Sequence, residues 1–169
     1  RNEGPAQGFL YVLTAVAERE RVEKALRASE AHYRLLADNA TDIIWTMEYR
    51  DGELYFTYLS PSVKRVLGFT VEEAVAIKPS KGITPDSWRL ASKIASVREG
   101  REHGGRDNNL GPVTIEVEVY RKDGSTVWSE TAATPLLDAG GKIVGLLGVT
   151  RDISERKKSE DKLQELYKQ

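Results

Sequence analysis

The chain has 169 residues, 25 basic and 26 acidic side chains, a formal net charge of -1 and no cysteine. That length holds one domain of about 100–130 residues with a core of its own plus flanking segments, and leaves two full domains cramped. Balanced charge without a Lys/Arg stripe gives no reason to expect nucleic acid, and the missing thiol excludes disulfides, thiolate catalysis, Cys-ligated zinc or haem, and flavin photochemistry through a cysteinyl adduct.

The sequence opens Arg1-Asn2-Glu3 without an initiator methionine, as expected of a piece of a larger protein. No apolar run approaches the ~18 residues of a membrane span, so no direct membrane insertion is expected. Lack of cysteine fits a cytoplasmic location, whether or not the parent protein is membrane-tethered. Phe9 to Ala17 is mostly apolar and gives way to Glu18-Arg19-Glu20-Arg21. It fits the end of an upstream membrane helix, the last helix of an upstream domain, or the apolar face of a dimer helix. From Ala6 to Ala37 there is no proline and Gly8 is the only glycine, which predicts one long helix or two stacked ones. Val22, Leu26, Ser29, Tyr33 and Leu36 recur at alternating spacings of four and three, the period of a coiled-coil seam. Two readings stay open: a parallel homodimer through Val22, Leu26, Tyr33 and Leu36, or a solvated amphipathic helix lying on its own domain. Residues 1–28 are accordingly read as a coiled-coil-like linker helix, 29–153 as the folded domain and 154–169 as the start of a further helix.

Beyond Asp38-Asn39, Ile43 to Glu48 reads as a strand, Asp51-Gly52 as a hairpin turn and Leu54 to Leu59 as its partner strand. By period two, Ile43, Trp45 and Met47 face inward, and Ile44 and Thr46 face outward, where the N-terminal helix can cover them. Ser60-Pro61 opens a helix with Ser60 as the cap, ending at Gly68. Thr70 and Glu73 form a capping box for the next. Thr84-Pro85-Asp86 opens a longer helix to about Arg98, with Trp88, Ala91, Ala95 and Ile94 on its buried face, followed by a loop from Gly100 to Gly111.

Val113, Ile115, Val117 and Val119 alternate with polar residues in a strand exposed on one face. Lys122-Asp123-Gly124 turns into a strand from Val127 to Leu137, and Asp138-Ala139-Gly140-Gly141 into a last strand apolar on both faces, as in a buried centre. After Ile153 the pattern becomes charged and helical, with Ser154 as its N-cap. No period of about 20 to 50 residues repeats, which excludes a solenoid.

Few residues point to chemistry. The two histidines, His32 and His103, have no second ligand at metal spacing. No nucleophile elbow, P-loop or dinucleotide fingerprint is present, so catalysis by this segment is not expected. Trp45, Tyr55, Trp88 and Trp128 are either pocket aromatics or ordinary core and surface residues.

Together these segments resemble the PAS domain family over roughly Ser29 to Lys158. The resemblance is carried by Tyr33-Arg34-Leu35-Leu36, Asp42-Ile43-Ile44-Trp45, Tyr58 to Val63, Leu67 to Glu73, Thr84 to Ser87, Tyr120 to Ser125, and the closing run Gly145 to Lys157. It implies an α+β fold: a five-stranded antiparallel sheet with short helices over one face, flanked by the long N-terminal helix and a C-terminal output helix. It further implies a sensory and dimerisation module of a larger signalling protein, a histidine kinase or diguanylate cyclase, relaying a ligand or redox cue to a covalently linked output domain. The second reading is a ligand-independent module that only holds two chains together. A cavity between sheet and helices is expected to be lined by Ile43, Trp45, Met47, Tyr55 and Trp88. The junction Asp152-Ile153-Ser154 corresponds to the family's Asp-Ile-Thr step, with Asp152 as the pin, Arg151 or Arg156 as its partner, and Ser154 keeping the hydroxyl. No cofactor is evident. Haem would need a histidine better placed than His103, and light-sensing flavin chemistry a cysteine; the resemblance leaves room for a small-molecule ligand, which the sequence does not name.

Overall fold

The computed structural model describes residues 5–102 and 111–167. The chain divides into two units, 1–38 and 39–169. The first is a single helix, α1 (Pro5–Asp38), unbroken across residue 28. Val22, Leu26, Tyr33 and Leu36 are solvent-exposed along it, and Glu23 pairs with Arg27 one turn on.

The second unit holds a five-stranded sheet of order β2-β1-β5-β4-β3, antiparallel throughout. The strands are β1 (Ile43–Arg50), β2 (Glu53–Leu59), β3 (Val113–Tyr120), β4 (Thr126–Leu137) and β5 (Ile143–Asp152). Among the described residues, four helices lie between β2 and β3 in sequence: α2 (Ser62–Leu67), α3 (Val71–Val75), α4 (Pro79–Gly82) and α5 (Pro85–Glu102). The chain then leaves the sheet as α6 (Ser154–Tyr167).

Local chemistry explains most of these bounds. Asp51 and Gly52 both take positive φ, 52° and 80°, the two-residue turn whose twist matches a hairpin. Gly68 ends α2 at φ 82° and donates its N–H to the Lys64 carbonyl. The Thr70/Glu73 capping box of α3 is complete. Pro135 lies in β4 opposite Leu146 but beyond Ala133, where pairing with β3 stops, so its missing N–H leaves no ladder bond broken.

Ser60 behaves differently from the expected helix cap. The α2 helix starts at Ser62 without a side-chain cap, while Ser60 is fully buried beside β1. Its Oγ accepts the Ile44 N–H at 2.9 Å and meets Ser62 Oγ at 2.6 Å, and Ser62 donates to the Asp42 carbonyl at 2.8 Å. The hydroxyls tie the start of α2 to β1, where a buried backbone amide needed a partner.

Ile43, Trp45 and Met47 form the main core with Leu59, Val63 and Ala74, and Val117, Val119 and Val127 form a second cluster. The central strand β5 is buried on one face only: Val144, Leu147 and Val149 stay 38–40% exposed. Buried glycines sit on it because a Cβ at Gly145 would collide with the Met47 carbonyl, and one at Gly148 with the Trp45 indole. Gly148→Ala is therefore expected to lower stability by about 1–3 kcal/mol, as overpacking does. Combining it with Trp45→Leu should cost less than the sum of the two changes. Thermal unfolding measures both; an unchanged melting temperature for Gly148→Ala would show that the indole does not lie on this glycine.

Candidate functional site

The inward face of the sheet and the helices α2 to α5 line a partly open cavity of about 530 Å³. Ile43, Trp45 and Met47 line it from β1 and Trp88 from α5. Tyr55 does not. Between Thr46 and Met47 the pairing with β2 slips, so that Tyr58 opposes Thr46 and Phe56 opposes Met47. Leu54 and Phe56 enter the cavity, and the Tyr55 hydroxyl donates to Glu53 at 2.8 Å on the exposed side. Ile115 and Val117 of β3, Ala133 of β4 and Leu146 of β5 complete the sheet wall. The alternation of β3 was visible in the sequence, but its inward face is fixed only by packing.

Trp45 organises the interior. Its indole meets the Phe56 ring edge-on, with centroids 6.2 Å apart, and Nε1–H donates to Thr150 Oγ1 at 2.9 Å. Thr150 Oγ1 also lies 3.0 Å from Thr131 Oγ1, so the polar groups of three strands satisfy one another inside an apolar wall. Glu53 and Lys78, both half exposed, form an ion pair at 2.7 Å. The Lys78 ammonium, then the Tyr55 hydroxyl, hold the Glu53 carboxyl below its ordinary range, and Glu53 pushes Lys78 up. Among the described lining residues there is no His, Cys, Asn, Gln or Arg.

The inner wall continues into the junction, because Thr150 precedes Asp152 by two residues on β5. One Asp152 oxygen accepts the Ser154 N–H at 2.8 Å, and the other lies 3.4 Å from Arg121 of the β3–β4 turn. Neither expected partner is used. Arg151, the neighbouring strand residue, projects to the other side and binds Asp42 at 2.8–3.0 Å, and Arg156, a turn into the helix, reaches Glu116 at 2.7 Å. Ser154 is not the cap but the first helical residue; the first helical bond runs from the Lys157 N–H to the Ile153 carbonyl, and the Asp152 carboxylate does the capping from outside. Ile153 is buried, and its N–H donates to the Trp128 carbonyl at 2.9 Å. Trp128 itself lies 40% exposed with the Lys157 ammonium 5.1 Å over its ring. His103 falls outside the described residues.

Since the Arg121 contact is long and a third exposed, the Ser154 amide bond is the larger part of what Asp152 does. Asp152→Asn keeps an acceptor and is expected to stay within about 0.5 kcal/mol of the native chain, whereas Asp152→Ala is expected to cost about 1 kcal/mol. Denaturant unfolding followed by circular dichroism separates them; equal losses would return the weight to the charge pair.

A family model described as PAS domain matches residues 41–155. The methyl sulfide methyltransferase-associated sensor of Methanosarcina acetivorans is 31% identical over 150 residues, 89% of this chain and 14% of that protein. A blue-light-activated histidine kinase of Brucella anthropi is 29% identical over 153 residues, 90% of this chain and 28% of that protein. The chain thus spans well under a third of these relatives' length. Among solved structures, the PAS domain of a protein from Colwellia psychrerythraea superposes with a TM-score of 0.60 at 22% identity, over 74% of this chain and 97% of that one. A cavity roofed by the sheet, an acid-capped exit helix and a matching family model over most of the chain lead to one conclusion: the chain belongs to the PAS domain family.

Proposed function

We propose that this chain is the sensory module of a larger signal-transduction protein, with a histidine kinase as the first choice of output and a diguanylate cyclase as the next. It binds an uncharged, apolar small molecule in the sheet cavity and passes the change through β5 and α6 to a covalently linked output domain. The observation that carries this reading is the cavity of about 530 Å³, a volume in the range of ligand sites, whose wall strand runs directly into the exit helix. A module that merely held two chains together would have no use for it. The relatives with printed sensor and kinase names support the larger role.

Ligand chemistry follows from the lining. The polar groups at Trp45, Thr131 and Thr150 already bond to one another, and the ionisable pair Glu53–Lys78 is neutralised and half exposed. A buried charge on the ligand would find no unpaired ionic side chain to compensate it among the described lining residues, at a cost of several kcal/mol. The same lining offers no imidazole or thiolate for haem iron and no side-chain amide for the polar edge of a flavin. The purified domain is expected to be colourless. Titration with the neutral apolar dye N-phenyl-1-naphthylamine should give saturable fluorescence with the native chain. Ala133→Phe, which fills the wall without a charge, should weaken binding at least about tenfold. Native protein that does not bind, or binding untouched by the substitution, would contradict the cavity as the sensory site.

Dimerisation is the second part of the reading, favoured by the exposed stripe Val22, Leu26, Tyr33 and Leu36 on α1. A parallel pair burying these side chains at a seam gives the module a symmetric output. No helix among the described residues is long and apolar enough to cross a membrane, and we place the module in the cytoplasm. Leu26→Glu would bury an uncompensated carboxylate at the seam and is expected to weaken dimerisation by about 2–4 kcal/mol. Light scattering across a dilution series is the check, and a dimer of the variant that resists dilution as well as the native one counts against this seam.

A further inference from the structure

We propose that Glu116 is the positioning residue through which β3, a wall of the cavity, controls the docking of α6. On β3 the residues alternate: Ile115, Val117 and Val119 line the cavity, and Glu116, between them, points to the opposite side. There its two carboxylate oxygens hold the first turn of α6, one at 2.7 Å from Arg156 and the other at 2.5 Å from Lys157. Asp152 fixes where the helix begins, and Glu116 fixes the direction in which it leaves.

A like-charge conflict makes this contact responsive. Glu116 stands directly opposite Glu130 of β4, an arrangement that repels across strands. Arg156 lies at 2.7 Å from Glu116 and 3.6 Å from Glu130, so α6 supplies the cation that relieves the pair. The same helix carries an alternative partner, since Glu160 is already 3.7 Å from Arg156 and 3.8 Å from Lys157. Two states follow, with different contacts in each: α6 docked, its cations shared between Glu116 and Glu130, and α6 released, its cations turned to Glu160. A displacement of β3 against β4 changes the spacing of the two carboxylates and thereby the grip on the helix. The deeper partner is Lys157, 28% exposed and lying over Trp128. The sensory use of this device rests on the function proposed above; the coupling itself does not need a ligand to be demonstrated.

The test is hydrogen exchange of the α6 amides in the full chain. Glu116→Gln is expected to speed their exchange about fivefold relative to the amides of β1 and β5, the size of effect that partly exposed ion pairs support. Glu118→Gln changes the same outer face of β3, but Glu118 accepts from Thr126, so it should leave α6 alone. A cycle then reads the coupling. Val117→Ala alters the cavity wall beside Glu116 and should change α6 exchange at least about threefold in the native background, and hardly at all when combined with Glu116→Gln. If Val117→Ala fails to fold by circular dichroism, Ile115→Val serves in its place. An unchanged α6 in Glu116→Gln, or an equal effect of the cavity substitution in both backgrounds, overturns the proposal. Because no ligand enters this cycle, its failure is distinct from a failure of the dye titration, which would instead strike the sensory reading.

Discussion

The indole of Trp45 lying against Gly148 is the contact on which the rest of this domain depends. A side chain at position 148 would collide with the ring, so the central strand must carry a glycine where the largest side chain of β1 crosses it. The ring's N–H then needs a buried acceptor, and Thr150 supplies it while bonding Thr131 on the next strand. One aromatic side chain thereby joins β1, β5 and β4 and stands as part of the cavity wall. Two residues past Thr150 comes Asp152, and one more brings the buried Ile153, whose amide is held by β4. The strand that shapes the cavity is the strand that launches the exit helix.

Around that apolar centre the fastenings are electrostatic and exposed. Asp42–Arg151, Arg121–Asp152 and Glu116 with Arg156 and Lys157 link the residue before β1, the end of β5, the β3–β4 turn, β3 and the start of α6. Solvent screens such pairs, so each one alone adds little to stability. That is poor cement for a core and suitable material for a helix meant to come and go, since a shift of about 1.4 kcal/mol already changes a two-state ratio tenfold. The hydrogen bonds of Lys157 and Arg156 hold the Glu116 carboxyl below its ordinary range. Its contribution to docking is therefore complete above that range and fades only as the pH falls through the depressed value.

The sequence made local structure legible and long-range partners largely illegible. The Asp51-Gly52 hairpin, the Thr70/Glu73 box and the Gly68 stop follow from a few adjacent residues, and each is found where its chemistry placed it. Ser60 and Ser154 carried the same local signal as true caps, yet tertiary contacts took Ser60 to β1 and the neighbouring acid took the cap from Ser154. Tyr55 and Phe56 could not be assigned to faces without the slip in pairing opposite Met47. Arg121 stands 31 residues from Asp152 and Glu116 stands 40 residues from Arg156, and no spacing rule joins such positions. Resemblance to PAS domains supplied the sheet and the junction, but the charges that grip the exit helix belong to this chain's own outer face.

The three tryptophans allow the central claim, that the cavity and the exit helix form one coupled device, to be measured in a single experiment. Trp45 and Trp88 line the cavity, while Trp128 lies on the outer face beneath Lys157. In protein labelled with 5-fluorotryptophan, fluorine spectra are followed during titration with a neutral apolar molecule that fits the cavity. Coupling through the sheet predicts that all three resonances move along one binding curve, with Trp128 reporting the altered hold on α6. Shifts confined to Trp45 and Trp88, with Trp128 fixed at saturation, would contradict it.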